Sequence, residues 1–278
     1  MTIATNVSAL DAYRNLNNTQ ARLSSSLQKL SSGSRINSAS DDAAGLSISE
    51  GLKSQISGLA QAGRNAQDGV SVIQTADGAL SQVTAILHRM RDLAVQGAND
   101  SNSVSSRAAI KTEADQLGQE LDRIGKNTNF NGINLLDGTT ASLTFQVGAG
   151  ASADNQVAVS LTNLGTTLGT LAGPVAAAGF DVTSNATATT TLTSIDTAID
   201  AISTARSNLG ASENRLQSAS DTLAITGQNL TAANSRIADT DMAAEMVKYT
   251  QSNILSQAGT AMLAQANQSG QGILKLLQ

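Results

Sequence analysis

Residues 30–49, LSSGSRINSASDDAAGLSIS, crowd serines, glycines and two adjacent aspartates between two helical patterns. Read as chemistry, the stretch would be an active-site loop. Read as architecture, it stops a helix at Ser31, Ser32 and Gly33 and starts another after Ser40, Asp41 and Asp42, whose side-chain oxygens can accept free backbone N–H groups, with Gly45 just inside the new helix. The aspartates lack the D-x-[DN]-x-[DN]-G spacing of a calcium loop, so capping is their simpler role. The reading as a joint predicts long helices on both sides.

Upstream, Val7, Leu10, Tyr13, Leu16, Leu23, Leu27 and Leu30 recur at steps of three and four, with Gln20 filling one polar place in a narrow amphipathic stripe. Downstream, residues 43–97 keep a helical period through Leu46, Leu52, Ile56, Leu59, Ala66, Ile73, Leu80, Leu87 and Leu93. That length predicts a rod or a broken rod. A turn at 99–102 precedes a helix over 104–127 striped by Ile110, Leu117, Leu121 and Ile124. The period then changes. Asn131-Gly132 and Asp137-Gly138 are turn pairs, and Leu143, Phe145, Val147, Val157, Val159 and Leu161 alternate as strands do. A loose threonine-rich segment, TSNATATTTLTS, follows, and helix returns near Leu192 and persists almost to the end. From Leu216 a heptad runs through Leu223, Leu230, Ile237 and Ala244, with Val247 and Ile254 at its second seam position. Two glycines, Gly270 and Gly272, suggest a flexible joint before the last apolar turn.

Composition excludes several functions. Five aromatic residues and no tryptophan in 278 residues disfavour a wide globular core and favour thin, alanine-rich helix contacts in an elongated shape. A net charge of -5 argues against general nucleic-acid binding, although Arg14, Arg22, Lys29 and Arg35 against Asp11 make the first forty residues basic. No apolar run approaches the roughly 20 residues that span a bilayer. The first residues lack the features of a cleavable signal peptide. Cysteine is absent, which removes disulfides and thiolate chemistry. The single histidine, His88, stands without a G-x-S-x-G or H-E-x-x-H motif, and no phosphate-binding glycine pattern occurs, so neither a catalytic nor a cofactor or metal site is expected.

What remains is form: weakly apolar helical seams at both chain ends enclosing a more elaborate middle. Periodicity alone fits a self-contained coiled-coil dimer or bundle as well as a subunit whose heterologous contacts propagate into an open helical filament.

The residues themselves carry a resemblance that separates these. LSSGSRINSASDDAAGLSISEGLKSQISGL (30–59), RNAQDGVSVIQTADGAL (64–80), LHRMRDLAVQGAND (87–100), NTNFNGINLLDG (127–138) and ANSRIADTDMAAEMVKYTQSNILSQAGTAMLAQANQ (233–268) closely resemble bacterial flagellin, in the same order, over roughly 1–138 and 192–278. The resemblance implies a non-enzymatic, mainly α protein with a small β-hairpin region in its middle. Its long helices, from both chain ends, would pack as a coiled coil or bundle. It implies an inner coiled-coil domain from 1–44 and 235–278, rod helices over 45–138 and 192–234, and a short variable region at 139–191. Leu10, Leu16, Leu23, Leu27, Leu30, Leu230, Ile237, Val247 and Ile254 would form the filament and coiled-coil seam, and Ser31, Gly33, Ser40, Asp41, Asp42 and Gly45 the connector between layers.

The family further implies an extracellular filament that drives swimming. Its subunits self-polymerise after unfolded export through the flagellar type III apparatus, with an export chaperone, cap and hook-junction proteins as partners. Recognition by a host Toll-like receptor would fall on Arg89, Leu93 and Glu113, although this chain has His88 where glutamine is usual and Asp92 where glutamate is usual. A hook–filament junction protein is the alternative within the class, and an adhesin the alternative outside it.

Overall fold

The computed structural model describes residues 6–172 and 179–276. Among these are α1 (Val7–Ser32), α2 (Ala43–Gly97), α3 (Val104–Asn127), β1 (Asn129–Phe130), β2 (Ile133–Asn134), β3 (Ser142–Gln146), β4 (Gln156–Ser160), α4 (Leu164–Leu168), α5 (Asn185–Ala238) and α6 (Met242–Leu276). The chain is mainly helical with two small antiparallel hairpins, as the periodicities predict. Residues 1–5, 173–178 and 277–278, which fall in the expected inner and variable regions, lie outside the described residues. Two compact units result, Ser57–Gly227 and Met1–Ile56 with Gln228–Gln278.

In the larger unit the core is a set of helical heptads. Ile73, Ala76, Leu80, Val83, Leu87 and Met90 line one face of α2, and Ala188, Ile195, Ala198, Ile202, Leu209 and Leu216 line one face of α5, all buried in a single apolar cluster. Ile110, Ala114 and Leu121 bring α3 onto it. Polar pairs tie α2 to α5 in antiparallel order: Arg91 Nε donates to Asp196 at 2.6 Å, Arg206 Nε to Asp77 at 2.7 Å, and Gln74 Nε2 to Glu213 at 2.9 Å.

Both hairpins follow from their turn chemistry. Asn131 and Gly132 have φ of 49° and 80°, the two left-handed positions that let a two-residue loop match the strand twist and pair Phe130 with Ile133. In the second hairpin Leu143 pairs with Val159 and Phe145 with Val157, and both valines are buried. The threonine-rich segment is not loose: α5 begins at Asn185 and takes in nearly all of it. Thr189, Thr190 and Thr193 donate their hydroxyls to the carbonyls four residues back, and Asn185 Nδ2 donates to Ala98 O at 2.6 Å. Thr191 is buried and bonds to the backbone of Asp181. Packing of Ala188 and Ile195 in the core overrides the preference of threonine for strands.

The terminal unit is built differently. In it α1 and α6 pack antiparallel, with Asn6 Nδ2 donating to Ala266 O and Ser26 Oγ to Glu245 Oε1. Helix does not persist unbroken to the end of the chain. It breaks at 239–241, because Asp241 Oδ1 accepts the N–H groups of Ala243 and Ala244 and so caps a new helix. Beyond that cap α6 runs on through Gly270 and Gly272 without interruption.

The connector closes against this break. Gly33, at φ 70°, ends α1 in the left-handed conformation that glycine adopts freely. Arg35 N donates to Ala238 O at 2.7 Å and Thr240 N to Gly33 O at 3.0 Å, forming an antiparallel bridge between Ser34 and Asp239. The Arg35 guanidinium adds two bonds, from Nε and Nη2, to the Ile237 carbonyl at the end of α5. Asp41 Oδ2 accepts from the N–H groups of Asn37 and Ser38 and from the Ser38 hydroxyl, which itself lies 2.8 Å from Ser40 Oγ. Asp42 Oδ1 accepts from Gly45 N at the start of α2. A Cβ at Gly45 would lie 2.7 Å from Ile36 Cδ1, so the helix starts where only glycine lets the buried Ile36 approach. Ser31 is exposed.

Two outcomes test this account. Leu87→Ala should destabilise the larger unit by about 2–5 kcal/mol, read as a lowered denaturant midpoint with unchanged slope. The Asn37 and Ser38 donors hold the Asp41 carboxyl below the usual carboxylate range. A depressed pKa means its contribution is present above the ordinary aspartate value of about 4 and is lost as pH falls through the lower folded value. Amide protection at Asn37 and Ser38 should therefore fall with acidification in the native chain, whereas Asp41→Ala should show low protection already at neutral pH and no such titration.

Candidate functional site

Among the described residues no cluster of metal-ligating side chains occurs, and the feature that stands out is the distribution of apolar side chains in the terminal unit. Along α1 the covered positions include Ala9, Ala12, Leu16, Thr19, Leu23, Ser26 and Leu30, and along α6 they include Glu245, Tyr249, Ser252, Ser256, Gly259, Leu263 and Ala266. Both sets step by three and four, as a coiled-coil seam does. The residue types are those of a close, weakly apolar contact: a Cβ at Gly259 would stand 3.8 Å from Leu16 Cβ. Large apolar groups face outward. Of the fifteen exposed large hydrophobic side chains described, eleven are in this smaller unit, among them Val7, Leu10, Tyr13, Leu27, Val247, Ile254 and Met262. Met246, Val247, Thr250, Gln251, Ile254 and Leu255 line an open apolar groove on α6.

The expected seam is thus divided. Leu16, Leu23 and Leu30 lie on the covered side of α1, and Leu230 and Ile237 are partly covered on α5. Leu10, Leu27, Val247 and Ile254 are 47–68% exposed and stand outside the contact that α1 and α6 make within the chain. The physical reason is the Asp241 cap: the chain breaks before α6, so the heptad counted from Leu216 does not continue into it, and positions two residues away from Val247 and Ile254 face α1 instead. The Asp-Thr-Asp run at 239–241 is the sequence signal that marks this break.

In the larger unit Arg89 and Glu113 face solvent and bind one another, with Arg89 Nη2 donating to Glu113 Oε1 at 2.6 Å and Nε at 2.8 Å. Leu93 does not accompany them. It is 2% exposed, three residues beyond Met90 on the buried face of α2. His88 is exposed beside a polar groove with Asp77, Arg206 and Glu213, where Arg206 and Asp77 already pair. No helix among the described residues is long and apolar enough to cross a membrane.

Comparison with known proteins agrees with this arrangement. Residues 3–141 match the family described as the bacterial flagellin N-terminal helical region, and residues 192–277 match the bacterial flagellin C-terminal helical region. The chain is 46% identical over 278 residues to a flagellin of Halalkalibacterium halodurans, and 43% identical over 306 residues to a flagellin of Bacillus subtilis, in each case covering 100% of both chains. Among solved structures it is similar to the crystal structure of Bacillus cereus flagellin, with a TM-score of 0.51 and 32% identity over 62% of this chain and 94% of that one. Full-length likeness to flagellins, a mainly helical fold and a terminal unit with its apolar residues turned outward lead to one conclusion: the chain belongs to the bacterial flagellin family, as a structural subunit of the flagellar filament and not an enzyme.

Proposed function

We propose that the chain polymerises by laying the outward apolar faces of α1 and α6 against those of neighbouring copies. The observation that carries this reading is the concentration of exposed large hydrophobic side chains in the terminal unit. Complete burial of one such side chain is worth about 1.5–3 kcal/mol. Association costs on the order of 4–15 kcal/mol, so a single contact fails where a whole face, covered by several neighbours, succeeds. The face is heterologous, since α6 offers a groove and α1 offers Val7, Leu10 and Tyr13, and heterologous contacts continue into a helical polymer.

On this reading residues 1–44 and 235–278 form the inner layer, 45–138 and 192–234 the rod helices of the next, and 139–191 a short variable region beyond them. The finished polymer is the extracellular filament for swimming. The chain reaches it unfolded through the flagellar type III apparatus, with the help of an export chaperone, and adds below a cap on a shaft begun by hook-junction proteins. The weakly apolar α1–α6 seam suits a segment that must travel unpaired. Host Toll-like receptor recognition falls on the exposed Arg89 and Glu113.

Electron microscopy of the heat-depolymerised full chain after seeded or high-salt reassembly tests the reading. Long filaments are expected from the full chain. None should form from a chain lacking 235–278 or from the double variant Val247→Asp/Ile254→Asp, both of which should keep the helical circular dichroism of the larger unit. Filaments from the double variant would remove the α6 face from the contact, and a full chain that stays monomeric or dimeric with seeds present would end the polymer reading in favour of a junction protein or closed bundle.

A further inference from the structure

The terminal helices carry two competing faces. The seam that the fold covers is mostly small and polar on α6 and alternates Leu16, Leu23 and Leu30 with alanine, threonine and serine on α1, while each helix also carries a stripe of large apolar residues that the fold exposes. Val247 and Ile254 stand two residues on from Glu245 and Ser252, and at 100° per residue that is close to the opposite side of α6. Turning α6 by about half a turn would set its apolar stripe against α1, where it would bury more hydrophobic surface within one chain. Some feature must therefore oppose the turned packing.

One buried charge does so. Glu245 and Ser26 are each only 6% exposed, and Ser26 Oγ donates to Glu245 Oε1 at 2.6 Å. The other carboxylate oxygen accepts from Lys248 Nζ at 3.0 Å, so both oxygens are satisfied inside the observed packing. The Ser26 hydroxyl is the main cause that holds the Glu245 carboxyl below the ordinary range, with Lys248 and Lys29 adding to it. Asn6 at the far end, bonded to Ala266 O, fits the same rotation. In the turned packing the serine would lose its charged acceptor and, against an apolar stripe, fall back on a carbonyl of its own helix, exchanging a charge-assisted hydrogen bond for a weaker neutral one.

We propose that the Ser26–Glu245 pair selects the rotation of α6 on α1, keeping the apolar stripes outward and free for neighbouring copies. This rests on the polymer reading above and names the residues that keep the subunit competent for it. Glu245 is a positioning residue: it gives up some burial within the chain so that the surface needed between chains is not consumed internally.

The absence of cysteine allows a clean test in the full chain. Leu16→Cys/Gly259→Cys reports the observed packing, since the two Cβ positions are 3.8 Å apart, close to the usual disulfide spacing. Leu16→Cys/Ala261→Cys reports the turned one. Cross-linking rates of the two pairs are compared in otherwise native chain and with Ser26→Ala, Glu245→Ala or Glu245→Gln added. The first pair should close faster in the native background. The ratio should fall at least about tenfold with either alanine, as expected for loss of a hydrogen bond to a charged group, and less with Glu245→Gln, which keeps an acceptor. An unchanged ratio in both alanine variants, or no preference in the native background, overturns the proposal. Micrographs of the same cysteine-free variants separate the two readings: native chain that forms no filaments fails the polymer reading, whereas filaments from Glu245→Ala with an unmoved ratio fail this one alone.

Discussion

The antiparallel contact of α2 with α5 is the interaction on which the larger unit depends. With so few rings in the chain, a core has to come from alanine and aliphatic side chains at close helix spacing, and the two longest helices supply them in matched heptads. The third helix, both hairpins and the segment around Phe180 add apolar groups to that same cluster. Ion pairs at Asp77–Arg206 and Arg91–Asp196 lie at the solvent edge, where their net worth is small and their geometry aligns the helices.

The terminal unit obeys the same periodicity with the opposite outcome. Its covered seam sets a few leucines among many small and polar residues, so the energy holding α1 to α6 is modest, and directed hydrogen bonds at Asn6, Ser26 and the Ser34–Asp239 bridge do the aligning. A folded domain maximises internal burial; this unit leaves its large apolar groups unused. That imbalance is what a subunit needs if it is to be soluble alone and cohesive in number.

Much of this was legible in the residues. The bounds of α2 and α3, the turn at Asn131-Gly132 and the pairing of the 143–147 and 157–161 strands follow from periodicity and turn chemistry, because tertiary packing there agrees with local preference. Three features were not. The 183–194 threonines read as loose because their helix is stabilised by core contacts of Ala188 and Ile195 that a local reading does not contain. Leu93 reads as a neighbour of Arg89 on one side of α2, yet the roughly 40° between them crosses the edge of the apolar stripe and places Leu93 in the core. The third is how the expected filament and coiled-coil seam divides between covered and exposed faces. Periodicity identifies which face of α1 or α6 is apolar; it does not say whether the covering partner is the same chain or another, and here the apolar stripe is not the face that the chain covers itself.

The pairing of the two chain ends also sets a temporal order. Ser26 and Glu245 are separated by 219 positions, and Asn6 and Ala266 by 260. Closing so long a loop in a disordered chain is entropically unfavourable and slow, whereas the larger unit contains nearly all of its contacts within one continuous segment. Once that segment has folded, α2 and α5 run on from it into the terminal unit, and the effective loop is cut to a few turns of helix. The terminal unit is accordingly the last part to close and the first to open, which makes it the natural place for the chain to be completed or undone without dismantling the rest.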